Sequence, residues 1–165
     1  MSDNGVGPQA DGLAPGATFT SPGRTITEAD IVSFAALTGD WHPQHADAAW
    51  ARGSRFGERV AHGMLVLSYA VGLAGFDPER IVALRGLDGV VFKRPVRIGD
   101  TIHLEGRVEA VRPLDDDVAL LELTWRIVNQ DGATAARARV SAVCRRAEAE
   151  PAGATGDPVF GELFL

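Results

Sequence analysis

A run of apolar residues, Met64-Leu65-Val66-Leu67-Ser68-Tyr69-Ala70-Val71-Gly72-Leu73-Ala74, followed soon after by period-two patterning, restricts this chain more than any other feature. The run is far shorter than the roughly 20 residues a membrane-spanning helix requires. It is apolar on nearly every side, which predicts a helix wrapped by other structure and starting at His62-Gly63. After Asp77-Pro78, β-branched residues become frequent and candidate strands follow at residues 81–92, 101–111, 118–129 and 134–145. Arg97-Ile98-Gly99-Asp100, Pro113-Leu114-Asp115-Asp116-Asp117 and Gln130-Asp131-Gly132 supply the turns between them. Ala119, Leu121, Leu123, Trp125 and Ile127 share one parity, with Glu122, Thr124 and Arg126 on the other, as in a sheet with one covered face. The expected fold is α+β: an antiparallel sheet, linked mainly by hairpins, curled around a buried helix, with a further strand near residues 18–26.

A second helix is expected over residues 28–37, where Thr27 precedes an acidic first turn and Ile31, Phe34, Ala35 and Leu37 recur at helical spacing before Gly39. The chain of 165 residues suits one domain. Residues 17–146 should hold it. Residues 1–16, rich in Gly, Pro, Asp and Asn, read as a flexible tail. Residues 147–165 read as a second tail, whose apolar end, Val159 to Leu165, could dock on the body or on a neighbouring chain. A formal charge of −6 opposes a polyanionic partner, so nucleic acid is not expected. The single Cys144 excludes an intramolecular disulfide and suits a reducing compartment. With no basic-then-apolar leader at the N-terminus, the expected location is the cytoplasm, without membrane attachment.

Chemistry-bearing residues crowd one region. His42, His45 and His62 lie close in sequence together with Asp40, Asp47 and Glu58. The segment Asp40-Trp41-His42-Pro43-Gln44-His45-Ala46-Asp47 is polar and contains proline, which reads as a non-repetitive turn, with one helical turn at residues 48–51. Asp40 and His45 could face one small pocket and divide general-acid and general-base work; equally, Asp40 could cap the next turn while His45 makes a structural hydrogen bond. His62-Gly63 opens the apolar helix, where free N–H groups and the dipole's positive end could polarise a carbonyl, or where glycine simply permits a bend. His42, His45 and Asp47 offer ligand atoms, but Pro43 prevents the regular helix that would align them, so no metal is expected. Trp41, Trp50 and Trp125 read as packing residues, and Trp41 could also line an acyl channel. Cys144 reads as a small core residue. No phosphate-binding loop, dinucleotide fingerprint or Gly-x-Ser-x-Gly elbow is present, and no cofactor is expected.

The segment Thr38-Gly39-Asp40-Trp41-His42-Pro43-Gln44-His45-Ala46-Asp47 is similar to a signature of the form Ser/Thr-Gly-Asp-x-Asn-Pro-x-His-x-Asp, and Ala61-His62-Gly63-Met64-Leu65 and Phe92-Lys93-Arg94-Pro95-Val96-Arg97-Ile98-Gly99-Asp100-Thr101 follow in the same order. Together these resemble the MaoC-like family of (R)-specific enoyl-CoA hydratases, within the hot-dog superfamily. The resemblance implies that Asp40 and His45 activate a water which adds to a trans-2-enoyl thioester, of coenzyme A or a carrier protein, and that the Gly63 amide polarises the thioester carbonyl. It implies a cofactor-free reaction and a homodimer or larger homo-oligomer. It adds His42, Trp41, His62, Lys93 and Arg94 as candidate substrate-binding residues. Lys93 and Arg94 could meet the phosphates of coenzyme A or remain solvated surface charges. His42 departs from the family's usual Asn, changing shape and protonation at that position. A hot-dog thioesterase and a non-catalytic acyl-thioester-binding or scaffold subunit are the alternative functions.

Overall fold

The computed structural model describes residues 13–146. Strands β1 (Thr18–Thr20) and β2 (Arg24–Thr25) lead into helix α1 (Glu28–Thr38), the short helices α2 (Pro43–Ala46) and α3 (Ala48–Arg52), and the apolar helix α4 (Gly63–Leu73). Four long strands follow: β3 (Ile81–Phe92), β4 (Thr101–Pro113), β5 (Val118–Asn129) and β6 (Thr134–Arg145). All pair antiparallel in one sheet, in the order β1-β4-β5-β6-β3, with β2 also on β4.

The expected α+β architecture is present. β4, β5 and β6 are successive hairpin neighbours, but β3 departs from a simple meander. It lies against β6, not β4, so the chain crosses the sheet between β3 and β4. The expected strand near residues 18–26 is split into β1 and β2, because Pro22 lacks an N–H to give to the ladder. Ser21 bridges the break: its N–H donates to the Leu104 carbonyl, and its Oγ accepts from the Leu104 N–H.

The core lies between α4 and the covered sheet face. Leu65, Val66, Leu67, Ala70 and Ala74 pack in one cluster with Ile102, Leu104 and Val108 of β4, Leu121, Leu123, Trp125 and Ile127 of β5, and Ala138, Val140 and Ala142 of β6. The parity read along β5 matches this burial. α4 is not enclosed on every side, however. Met64, Ser68 and Gly72, one turn apart, form an exposed row. Leu13, placed by composition in the tail, is buried in the core cluster, and Gly16 donates its N–H to the Val108 carbonyl. Packing therefore begins before residue 17. The rest of that tail and the whole C-terminal tail, with its expected docking segment, lie outside the described residues. No described helix is long and apolar enough to cross a membrane.

Candidate active site

α1 is held at its start by a capping box. The Thr27 hydroxyl accepts from the Asp30 N–H, and the Asp30 carboxylate accepts from the Thr27 N–H. The helix ends at Gly39, whose left-handed conformation (φ 77°) lets its N–H reach the Ala35 carbonyl and turns the chain sharply into Asp40. Residues 43–46, expected as irregular turn, instead form helix α2. Pro43 stands in its first turn, where a missing N–H costs nothing. His42 caps that helix, its Nδ1 accepting from the Gln44 N–H at 3.2 Å. Asp40 therefore does not cap α2; its carboxylate accepts from the His42 N–H at 3.3 Å. Asp47 caps α3 through the N–H groups of Ala49 and Trp50. His42 and Asp47, once weighed with His45 as metal ligands, are thus engaged as caps.

His45 faces inward from α2 and is 5% exposed. Its Nδ1 lies 2.7 Å from the Val60 carbonyl oxygen. A carbonyl can only accept, so Nδ1 carries the proton and Nε2 presents its lone pair. The Gln44 side-chain amide meets that lone pair, with Nε2 of the amide 2.9 Å from Nε2 of the ring. Burial lowers the His45 pKa below its ordinary value; the nearby His62 and His42 act in the same direction, and the Val60 carbonyl and Asp40 oppose them.

His62, expected to touch substrate, lies behind His45. It is 2% exposed, stacks on the His45 ring with centroids 3.8 Å apart, and packs on Phe34. Its Nε2 donates to the backbone carbonyl of Asp40 at 2.9 Å, tying the Gly39–Asp40 corner to the start of α4. The remaining ring nitrogen, Nδ1, is buried without a partner among the described residues. Asp40, His45 and His62 bring one donor atom each within 4.8 Å of one another. Ring lone pairs lie in the ring planes, so two imidazoles stacked 25° from parallel direct theirs side by side, not toward one shared cation. The cluster suits proton handling better than metal binding.

A cavity of about 300 Å³ opens beside His45. Gly63, Val60, Val66, Phe56, Phe92 and Ala136 supply an apolar wall, while Gln44, His45, Lys93 and Arg94 supply polar groups. Gly63 is the first residue of α4, and among the described residues no side chain caps that helix, the His62 ring being engaged with Asp40. The first-turn amides thus keep their donors for a ligand. A β-carbon at residue 63 would stand 2.8 Å from the Phe92 ring, so glycine is required by this close approach.

The other candidates are spread more widely. Trp41 (52% exposed) and His42 point away from the core, and His42 packs edge-on against Trp50, itself half exposed. Of the three tryptophans only Trp125 is a buried packing residue. Trp41 and His42 are not among the cavity-lining residues, and neither is Asp40. Arg94 donates from Nη1 to the Thr134 carbonyl. Cys144 is buried, with its thiol pKa raised by burial, as a core cysteine should be. Gln44 and Phe92 were missed as site residues. Both stand inside the quoted motifs, at positions where sequence patterning carries no sign of direction.

Residues 12–124 match the family model of the MaoC-like domain. Over 95 residues, 56% of this chain, the sequence is 45% identical to the protein named MaoC of Klebsiella aerogenes; the match covers 28% of that longer protein. Over 107 residues it is 36% identical to an (R)-specific enoyl-CoA hydratase of Aeromonas caviae, spanning 65% of this chain and 78% of the relative. Among solved structures, a MaoC-like dehydratase from Rhodospirillum rubrum superposes with a TM-score of 0.74 at 28% identity, covering 83% of this chain and 96% of the other. The antiparallel sheet around α4 is the hot-dog fold.

Proposed function

The chain belongs to the MaoC-like domain family, and on that premise we propose that it is a hydro-lyase acting on 2-enoyl thioesters. Water adds across the trans double bond to give an (R)-3-hydroxyacyl thioester, or leaves in the reverse direction. The observation that carries this reading is the orientation of His45. Its Nδ1–H is pinned by the Val60 carbonyl, which leaves Nε2 as a proton acceptor on the wall of a cavity that also contains Gly63.

In this scheme the thioester carbonyl accepts from the Gly63 N–H at the start of α4, where the helix dipole favours negative charge. Asp40 orients a water and His45 Nε2 takes its proton as the oxygen bonds to the β-carbon. The electron pair of the alkene moves toward the carbonyl, giving an enolate-like species stabilised by the amide. The proton held by His45 then passes to the α-carbon, restoring the carbonyl and the neutral imidazole. Atoms balance as one water added, and no cofactor takes part. Lys93 and Arg94, on the cavity wall, supply positive charge for the phosphates of coenzyme A or of a carrier's pantetheine arm.

We also propose a homodimer. β3 ends the sheet with one edge unpaired among the described residues, and Val82, Val91 and Phe92 on it are exposed. A second copy of that edge would extend the sheet and cover them. Because Phe92 also lines the cavity, the site would then lie near the interface.

The test is incubation of the purified protein with trans-2-enoyl-CoAs of several chain lengths, reading loss of the conjugated absorbance and the configuration of the product. Conversion to the (R) product by the parent, falling at least a hundredfold in a folded Asp40→Asn variant, is the expected result. Release of free thiol in its place would assign a thioesterase. Activity only with an added hot-dog subunit would assign a partner-dependent role.

A further inference from the structure

His45 alternates between two protonation states in the reaction proposed above, and both must be satisfied in a nearly closed environment. An unpaired ring nitrogen is costly in such a place. The Nδ1 side presents no difficulty, because its N–H donates to Val60 in either state. Nε2 is different. It accepts when the ring is neutral and donates when the ring is charged. The group that meets it is the side-chain amide of Gln44, at 2.9 Å.

We propose that Gln44 is a positioning residue of the reaction: its amide donates to His45 Nε2 in the empty site and, by a half-turn about its terminal bond, presents its oxygen once the ring or an intervening water has an N–H or O–H to give. This inference rests on the hydro-lyase reading and deepens it. A carboxamide carries a donor and an acceptor of nearly the same shape at one position, so a half-turn exchanges them without moving the stem. The stem itself is fixed at both ends of the residue's backbone. The Gln44 N–H donates to His42 Nδ1, and its carbonyl accepts from the Val60 N–H. That second bond belongs to the segment that also pins His45 Nδ1, so Gln44 and His45 are registered against one strand of backbone. With the oxygen turned inward, the lone pair of Nε2 is released to the water that Asp40 orients, and the amide oxygen accepts from the Nε2–H that forms as the ring takes its proton.

The groups facing His45 are Asp40 and His42 ahead of α2, and His62 at the start of α4; Lys93 and Arg94 share the cavity. None of these offers a donor and an acceptor interchangeable by rotation. An ionised Asp40 can accept but not donate, and the two imidazoles are committed through one nitrogen each, His42 as a cap and His62 to the Asp40 carbonyl.

The experiment uses the full chain. Proton–nitrogen NMR follows the Gln44 side-chain NH2 and the His45 ring through a pH titration, in the parent and in Gln44→Met, which keeps the length and removes both hydrogen-bonding functions. In the parent, the NH2 signal should be shifted by its ring acceptor above the His45 transition, should lose that shift through the same transition, and a protected His45 Nε2–H should emerge below it. In Gln44→Met the His45 pKa should fall, because the bond to the charged ring is the stronger of the two lost. The kcat for enoyl-CoA hydration should fall about tenfold, as for loss of a hydrogen bond to a charged group, with little change in KM. A rise in the His45 pKa would mean that the amide only donates, and would overturn the proposal. So would an NH2 signal indifferent to the His45 transition, or a ring titration unchanged in Gln44→Met. The NMR readout needs no substrate. If the parent turns over no enoyl thioester, the hydro-lyase reading fails by that assay alone, while an NH2 signal that follows the ring still supports the turning amide.

Discussion

His45 and His62 stack with ring centroids 3.8 Å apart and planes 25° from parallel. The inner ring holds the Asp40 backbone and the outer ring lines the cavity, so one contact couples the placement of Asp40 to the environment of His45. The same contact places two groups of like potential charge face to face, which adds to burial in lowering the His45 pKa.

A pH dependence follows with a definite sign. In the proposed reaction neutral His45 is the base, so activity should be lost as pH falls through its pKa, which lies below the ordinary value of about 6.5. The acid limb of kcat/KM, which reports the free enzyme, should fall below that pH. His62→Gln retains an N–H for the Asp40 carbonyl while removing the second ring's charge, and should move the limb to higher pH. A parent limb above 6.5, or one that does not move in the variant, contradicts this account.

Gly63→Ala tests the close approach at the start of α4. The new β-carbon would press on the Phe92 ring from 2.8 Å. Overpacking of this kind costs about 1–3 kcal/mol, and the displaced ring would crowd the amide proposed to hold the thioester carbonyl. The expected outcome is a lowered melting temperature and a kcat reduced more than tenfold. Adding Phe92→Leu should recover much of the stability by making room. Equal stability of parent and Gly63→Ala would show that the ring yields freely.

Trp125 is 1% exposed, and its indole N–H has no partner among the described residues. An unsatisfied buried donor costs about 1–3 kcal/mol. Trp125→Phe removes that donor together with part of the ring, and the two effects should nearly cancel, leaving a change within about 1 kcal/mol. Trp125→Ala removes the same donor but nearly all of the packing as well, and should cost about 3–5 kcal/mol. Urea denaturation midpoints for the two variants give the comparison directly.

Asp30 caps α1 and accepts from the Tyr69 hydroxyl at 2.6 Å and from Arg24 at 2.8 Å. Burial acts to raise its pKa, but the bonds from Tyr69 and Thr27 and the charge of Arg24 prevail and hold it at about 2. A depressed carboxylate contributes stability that is full above its unfolded pKa, near 3.9, and disappears as pH falls through the folded value. Asp30→Asn should therefore destabilise the protein by roughly 1–2 kcal/mol at neutral pH. The gap between variant and parent should close between about pH 4 and pH 2 in acid unfolding curves.

Residue patterning alone determined the apolar helix from Gly63, the capped helix ending at Gly39, the alternation that buries one face of β5, and the nearness in sequence of Asp40, His45 and Gly63. Each of these is local, because helix and strand periods, caps and left-handed glycines depend on residues only a few positions apart. Tertiary structure alone decided that β3 would cross to β6, because its alternation fits either neighbour and pairing order is set by how the sheet closes over α4. It decided that His62 would turn inward and Trp41 outward, since a side chain on an irregular corner follows the packing around it. It also decided that the Gln44 amide would meet His45 and that the His45 ring would stack on His62. Those contacts are made between side chains whose directions are fixed only when Val60 and α4 arrive from elsewhere in the chain, and no periodicity within the motif encodes that arrival.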